Sequence, residues 1–201
     1  MSNIFLVLRR SRFHILTFGL VYLLTVLGGA LMVHQGSRLA LNTRDKLVAK
    51  ARGNDRASIA YAKGKRLEAA LWDFGQNVAI GAIPQTIMGL TVVTPYAIAA
   101  YRGWIGGIVS VDGQHQSRLR TWKKAAYYVL TLLLQLIPYS LTGGVGVKLG
   151  LSYFRADPAY KSSRTVMGYP VEALKDVARV YAVAVPLFLI ASLWEFLSTW
   201  N

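Results

Sequence analysis

Residues 72–107 constrain the fold of this chain more than any other stretch of the sequence. They are apolar enough to enter a bilayer, yet they include Pro84, Pro95 and Arg102. A soluble core segment of this length would show a polar face at helical or strand spacing, whereas this one is apolar nearly all round. The pattern predicts two membrane helices interrupted by proline and glycine, at residues 73–93 and 95–111.

The remainder of the chain has the composition of a membrane protein. Hydrophobic residues make up 54% of the 201 residues, which predicts one compact domain over residues 1–201 and leaves no room for a separate catalytic module. We expect an all-α fold, a polytopic integral membrane helix bundle with five to six membrane segments, two of them broken by proline and glycine. The other predicted spans are residues 13–33, residues 125–153, as one long broken helix or as a hairpin, and residues 179–200.

Positive charge is concentrated between the predicted spans. The formal net charge is +14, and the linker of residues 35–71 holds nine Lys and Arg residues against three Asp and Glu residues. Its alanine and leucine content favours helix, so it is expected to form basic amphipathic helices on the membrane surface, an extension of the first span, or a solvated linker. Such basic loops suit anionic lipid head groups. Nucleic acid is not an expected partner, because these charges lack the interleaved aromatic residues that stack on bases.

Polar and small residues recur at every fourth position in the first broken segment. Asn77, Gly81, Gln85 and Gly89 therefore lie along one face of a helix. Amide side chains on that face would hydrogen-bond a neighbouring helix, and the glycines would let its backbone approach closely. We interpret these four residues as a seam for helix packing or partner binding, and a substrate-lining role is the alternative.

Arg102 is a charged residue inside an apolar segment and needs an explanation. A guanidinium there costs about 3 kcal/mol or more unless it reaches the interface or finds a partner. Asp73, Asp112 and Glu195 are the carboxylates near or inside apolar segments, so they are the candidate partners. The alternative is that Arg102 reaches the membrane interface beside Trp104.

The motif around Pro84 has a counterpart later in the chain. Residues 83–89 and 137–143 both read I-P-x-[ST]-[IL]-x-G. The match indicates either an internal duplication, with paired half-helices around a site at the membrane midplane, or a chance agreement of seven residues. The complete set of residues predicted for helix packing or partner binding is Asn77, Gly81, Gln85, Gly89, Arg102, Gly103, Gly106, Pro138, Tyr139, Gly143, Gly146 and Gly150.

Three stretches, FGQN at residues 74–77, YRGWIG at residues 101–106 and LIPYS at residues 136–140, are similar to motifs of the stage II sporulation protein M family. The similarity extends over residues 71–154. Tyr139 stands where that family usually has histidine, and Gly143 or Gly144 stands where it usually has glutamate. The resemblance implies an integral membrane protein that works by assembling partner proteins.

Two functions are compatible with these features. The preferred hypothesis is a non-enzymatic scaffold or subunit of a larger membrane complex, which binds other membrane proteins, in a hetero-complex or a homo-oligomer, through small-residue helix faces and basic loops. The alternative is a transporter or channel subunit with a midplane site at the two I-P-x-[ST] breaks. An enzyme is not expected, because His14, His34 and His115 lack metal-ligand spacing. No catalytic residue, cofactor or metal is assigned.

The expected location is the cell (inner) membrane, as a multi-pass protein. If residues 73–111 and residues 125–153 each form a hairpin, the basic stretches share one side, which the positive-inside rule makes cytoplasmic. Three arginines before the first span favour the opposite orientation, so the sequence leaves the orientation open: Arg9, Arg10 and Arg12.

Overall fold

The computed structural model describes residues 2–154, 158–161 and 163–200 of the chain. Apart from one short hairpin, the described chain is helical, which confirms the predicted all-α fold. The helices are α1 (Ser2–His34), α2 (Arg38–Asn54), α3 (Arg56–Ala62), α4 (Arg66–Gln76), α5 (Ile83–Met88), α6 (Thr94–Ile108), α7 (Trp122–Phe154) and α8 (Val171–Leu197). A π-helical turn (Asn77–Ala82), two 3-10 turns (Gly89–Thr91 and Pro158–Tyr160) and the antiparallel strands β1 (Thr165–Val166) and β2 (Tyr169–Pro170) complete the fold.

Three of these helices, α1, α7 and α8, are long and apolar enough to cross a membrane. A helix needs about 20 residues to span the hydrocarbon core, and the apolar helical stretches have 31, 33 and 27 residues. Their outer faces carry large apolar side chains such as Leu16, Leu24 and Ile190, each more than half exposed. These faces suit contact with lipid acyl chains.

Helix α7 is one continuous helix with Pro138 inside it, so the hairpin alternative for residues 125–153 is wrong. The physical reason is that backbone groups in a bilayer core have no water to bond, and a turn there would leave several of them unsatisfied. One proline removes a single backbone hydrogen bond. The Thr142 hydroxyl also donates to the Pro138 carbonyl at 2.9 Å, within the same turn of helix.

The first broken segment is also a continuous helical path, but its helix type changes along the way. Helix α4 passes into the π-helical turn, and α5 then begins with Pro84 in its first turn. The wider turn accommodates the proline, whose ring cannot follow a regular α-helical turn. Val92 adopts a left-handed backbone conformation (φ 63°) where the path ends, and α6 starts with Pro95 at its N-terminus.

The two I-P-x-[ST] motifs lie side by side on segments that run in the same direction. The Gln85 side-chain amide donates to the Tyr139 backbone carbonyl at 3.0 Å, and Gly89 contacts Gly146. Their local structure differs, since a π-helical turn precedes Pro84 whereas regular helix surrounds Pro138. An internal duplication stays a prediction.

The bundle has two distinct ends. The basic end holds the linker after α1, the loop between α6 and α7, and the end of α8, where Trp200 packs on Trp122. The hairpin end holds the start of α1, strands β1 and β2, and the start of α8, where Arg10 pairs with Asp176 at 3.2 Å. Successive passes through the bundle therefore alternate in direction between these two ends.

Glycines allow α6 to lie directly against α1. A Cβ atom added at Gly107 would lie 2.7 Å from the Ala30 nitrogen and 2.9 Å from the Gly29 Cα, and one added at Gly103 would overlap Thr25 and Tyr22. Contacts this close are possible only without side chains. In lipid, such backbone approach replaces the hydrophobic driving force between helices.

Substitution of Gly107 by alanine is expected to lower the free energy of unfolding by about 1–3 kcal/mol, because the added methyl group meets backbone atoms that cannot rotate away. Gly28→Ala is the matched control on the facing helix, since nothing lies within 4 Å of the added Cβ there. Chemical or thermal unfolding of both purified variants in detergent measures the difference. Equal stability of the two variants would contradict this packing.

Candidate functional site: a chamber at the basic end

The structure brings the predicted seam residues together inside the chain. Gly81 lies against the Tyr139 ring, Gly89 against the Gly146 backbone, and Gly150 against Gly89. The remaining glycines of the predicted set behave similarly: Gly143 contacts Phe18 and Gln85, Gly146 contacts Thr86, Gly103 contacts α1, and a Cβ atom added at Gly106 would lie 3.0 Å from the Leu132 side chain. Contacts within the chain thus cover the helix faces that were predicted from the sequence for helix packing or partner binding.

Two close contacts of the same kind were missed by the sequence analysis. Gly144 lies against the Ile15 backbone, and Gly107 lies against Gly29. The sequence does contain a signal for the contact at Gly107, because Gly103 and Gly107 are small residues spaced by four in an apolar segment.

A chain of polar side chains crosses the interior next to this seam. The Tyr139 hydroxyl donates to Asn77 Oδ1 at 2.7 Å, and Asn77 Nδ2 donates to Asp73 Oδ2 at 2.8 Å. The Ser192 hydroxyl donates to the same Asp73 oxygen at 2.6 Å. These bonds tie α4, α7 and α8 together where water is scarce, so each polar group finds its partner inside the protein.

Arg102 finds an aromatic partner rather than a carboxylate. Its guanidinium carbon lies 4.5 Å from the centroid of the Tyr139 ring. Within the described residues no ion pair joins Arg102 to Asp73, Asp112 or Glu195, so the alternative of a carboxylate partner is wrong. The π face of a desolvated ring stabilises a cation by about 2 kcal/mol.

A cavity of about 690 Å³, which we call the chamber, lies at the basic end. Its walls come from α1, α2, α3, α7, α8 and the residues that follow α6. The chamber-lining residues are Tyr22, Val48, Ala51, Arg52, Ser58, Tyr61, Ala62, Val109, Arg118, Tyr127, Tyr128, Thr131, Leu132, Gln135, Glu195 and Phe196.

Two polar side chains reach the inner part of this chamber from membrane helices. Gln135 Nε2 donates to Glu195 Oε2 at 3.4 Å, which joins α7 to α8. Gln135 Oε1 is buried and has no hydrogen-bond partner. The Tyr127 hydroxyl donates to the Glu195 backbone carbonyl at 2.6 Å and so fixes the end of α8. Glu195 therefore points into the chamber instead of reaching the membrane surface.

Beside the chamber, hydrogen bonds join the end of α1 and helix α2 to the loop after α6. His34 Nε2 and the Ser117 hydroxyl share a hydrogen bond of 2.8 Å, and His115 Nε2 lies 2.9 Å from Asp45 Oδ2. Hydrogen bonds from Arg44 and from His115 hold the pKa of Asp45 below its ordinary value.

Asp112 shapes the same loop through its backbone neighbours. Its carboxylate accepts the backbone N–H groups of Gln114 and Gln116, each at 2.9 Å. These two bonds lower the pKa of Asp112, because they favour the charged carboxylate. The loop is thus preformed, and Arg118 follows it at the chamber wall.

The sequence contains a signal for the chamber that the sequence analysis did not use. Tyr127, Thr131 and Gln135 are spaced by four residues, so they share one face of α7, and all three line the chamber. A polar and aromatic stripe on an apolar helix marks a face that does not contact lipid. Chemically, the chamber combines aromatic rings, one carboxylate, one unpaired amide oxygen and the two arginines Arg52 and Arg118.

Comparison of this chain with models of protein families, with curated proteins and with solved structures finds no match. The similarity of residues 71–154 to the stage II sporulation protein M family therefore stays a prediction.

Tyr139→Phe is expected to lower the free energy of unfolding by about 1 kcal/mol, because it removes the hydrogen bond to Asn77 and keeps the ring below Arg102. Tyr139→Leu removes the ring as well and should cost about 2 kcal/mol more. Tyr101→Phe is the control, since Tyr101 is 55% exposed on the outer face. Unfolding in detergent measures all three, and equal losses for Tyr139→Phe and Tyr139→Leu would contradict the role of the ring.

Proposed function

We propose that the protein crosses the cell (inner) membrane five times. Three crossings are α1, α7 and α8, and the other two are the path of residues 66–91 and helix α6. Support for the additional two comes from their packing inside the bundle and from large outward side chains: Ile80 and Ile87 on the path are 70% and 57% exposed, and Tyr101 on α6 is 55% exposed. Exposed side chains of this kind suit lipid and are costly in water.

In this arrangement the basic end faces the cytoplasm. It carries residues 35–71, with nine Lys and Arg residues against three acidic ones, and residues 109–124, with four against one. The positive-inside rule assigns such loops to the cytoplasm, where anionic lipid head groups attract them. The start of α1 then lies outside despite its arginines, and the pairing of Arg10 with Asp176 compensates part of that charge.

Introduced cysteines test the five crossings directly, because the chain has no cysteine of its own. Val93→Cys and Met167→Cys should both react with a membrane-impermeant thiol reagent on intact cells, since the two residues lie at the hairpin end. Asn54→Cys should react only after permeabilisation. If only three helices crossed, Val93→Cys would behave like Asn54→Cys, and that outcome would refute the two additional spans.

We further propose that the protein is a ligand-binding membrane protein of the transporter or channel-subunit class, and that its site is the chamber. The observation that carries this proposal is a cavity of about 690 Å³ at the cytoplasmic end, into which Gln135 and Glu195 project from membrane helices. Charged and amide side chains inside a membrane segment are functional candidates because their placement is costly. The predicted site at the two I-P-x-[ST] breaks is not favoured, because glycine contacts fill that region.

The scaffold function remains the second proposal, with a different contact surface. Two features support it: the similarity to the stage II sporulation protein M family and the basic surface of α2 and α3. The seam cannot be the surface that binds a partner protein, because Gly89, Gly146 and Gly150 are covered by contacts within the chain. Partner proteins, in a hetero-complex or a homo-oligomer, would therefore contact the basic linker or the outer faces of the bundle.

Thiol accessibility also tests the chamber. Thr131 lies nine residues into α7, about 14 Å along the helix, and lines the chamber, whereas Leu133 is 43% exposed on the outer face of the same helix. A membrane-impermeant reagent applied from the cytoplasmic side should modify Thr131→Cys and leave Leu133→Cys unmodified. An unreactive Thr131→Cys would refute a water-accessible chamber and, with it, the ligand-binding function.

A further inference from the structure

The charge arrangement in the chamber specifies what kind of ligand it holds. Glu195 has no Lys, Arg or His side chain within 4 Å in the described part of the chain. Its side chain receives one long hydrogen bond, of 3.4 Å, from Gln135. A carboxylate held in an apolar helix without a cation is destabilising, because the solvation that it loses is not replaced.

Gln135 adds a second unsatisfied acceptor next to this carboxylate. Its Oε1 atom is buried without a partner, although its Nε2 atom is already used by Glu195. A carboxylate oxygen and an amide oxygen can only accept hydrogen bonds. With Glu195 charged, the pair therefore offers two acceptors to a donor from outside the chain.

Aromatic side chains surround this acceptor pair. Tyr22, Tyr127, Tyr128 and Phe196 line the same chamber. Aromatic faces attract cations, and quaternary ammonium ligands are recognised in this way. The chamber volume of about 690 Å³ falls within the roughly 300–1,000 Å³ of known small-molecule sites.

The two arginines of the chamber lie on segments at its aqueous side. Arg52 is exposed on α2, and Arg118 belongs to the loop after α6. Charges in contact with water are screened over about 8 Å, whereas Glu195 acts inside the bundle. Arg118 is half-buried, but no arginine lies within 4 Å of the Glu195 carboxylate in the described part of the chain, so the inner part of the chamber presents a negative charge behind a basic rim.

We propose that the chamber binds a small organic cation, with a protonated amine or a quaternary ammonium group held between the Glu195 carboxylate and Gln135 Oε1. This inference rests on the proposed ligand-binding function, since it assigns the ligand class of the same chamber. The aromatic rings contact the apolar part of the cation.

The test compares cationic and anionic thiol reagents on Thr131→Cys in the full-length protein in detergent. The trimethylammonium reagent should react about tenfold faster than the sulfonate reagent, after both rates are divided by those at the exposed Asn54→Cys. Millimolar benzyltrimethylammonium should slow the reaction at Thr131→Cys, and millimolar benzoate should not.

Two charge-removing variants connect the preference to Glu195. Glu195→Gln, which keeps the shape of the side chain, should abolish the preference and the protection, whereas Glu172→Gln, at the opposite end of α8, should keep both.

Equal rates for the two reagents, or the same preference in Glu195→Gln, would overturn the proposal. A preference for the sulfonate reagent would instead assign the chamber to anions held by Arg52 and Arg118. If neither reagent reacts at Thr131→Cys, the proposed function itself fails, which separates that failure from a wrong ligand class.

Discussion

Backbone contact at glycines sets the spacing between the helices of this bundle, and the site depends on where those contacts lie. Helix α7 carries aromatic and polar residues in its first half and Gly143, Gly144, Gly146 and Gly150 in its second half. Its second half therefore packs tightly against α1 and α5 at the hairpin end. Its first half is held away from its neighbours by tyrosine rings, and the chamber opens there. Helix α7 is therefore tightly packed at the hairpin end and borders the chamber at the basic end.

Buried polar atoms without a partner occur along the whole bundle, among them Gln85 Oε1 and Ser140 Oγ in its tightly packed part and Gln135 Oε1 towards the basic end. Near the middle of the bundle, Asp73 receives two short hydrogen bonds and the Tyr139 hydroxyl has its acceptor in Asn77. Towards the basic end, Gln135 Oε1 has no partner and Glu195 receives only one long bond. Buried polar groups in a finished core are normally paired. Gln135 Oε1 differs from the other unpaired atoms because its side chain lines the chamber, which is where the proposed ligand would supply the missing partner.

Much of the fold follows from the sequence, and the reasons why the rest does not are physical. Hydropathy identified the three helices that are long and apolar enough to cross a membrane, and the four-residue spacing of Asn77, Gly81, Gln85 and Gly89 identified the face that packs on α7, because both signals are local in sequence. Local patterns could not decide whether Pro138 ends a helix, since the answer depends on whether water can reach the freed backbone group. The π-helical turn before Pro84 is likewise set by tertiary packing.

The candidate site was less predictable than the fold. Its walls come from six separate parts of the chain, and a single sequence does not show which of them meet. Gln135 and Glu195 were conspicuous as polar residues in apolar runs, but their pairing depends on the relative rotation of α7 and α8. Arg102 shows the same limit: charge alone suggested a carboxylate partner, whereas the fold places a tyrosine ring beneath it. For an intramembrane cation, the π face of an aromatic ring is an alternative that sequence patterns do not distinguish from an ion pair.

The closed end of the bundle determines what transport would require. Asp176 is 1% exposed and binds Arg179 at 2.7 Å, Arg10 at 3.2 Å and the Tyr160 hydroxyl at 3.1 Å. These bonds join the starts of α1 and α8 and seal the hairpin end. Asp176 is buried, so moving it away from Arg10 and Arg179 would leave an unpaired charge, which is strongly destabilising unless water replaces the lost bonds. A carrier mechanism that opens the hairpin end between α1 and α8 would therefore have to let water reach Asp176. A subunit that only binds its ligand needs no such opening, so the mobility of the Asp176 ion pairs separates the two mechanisms.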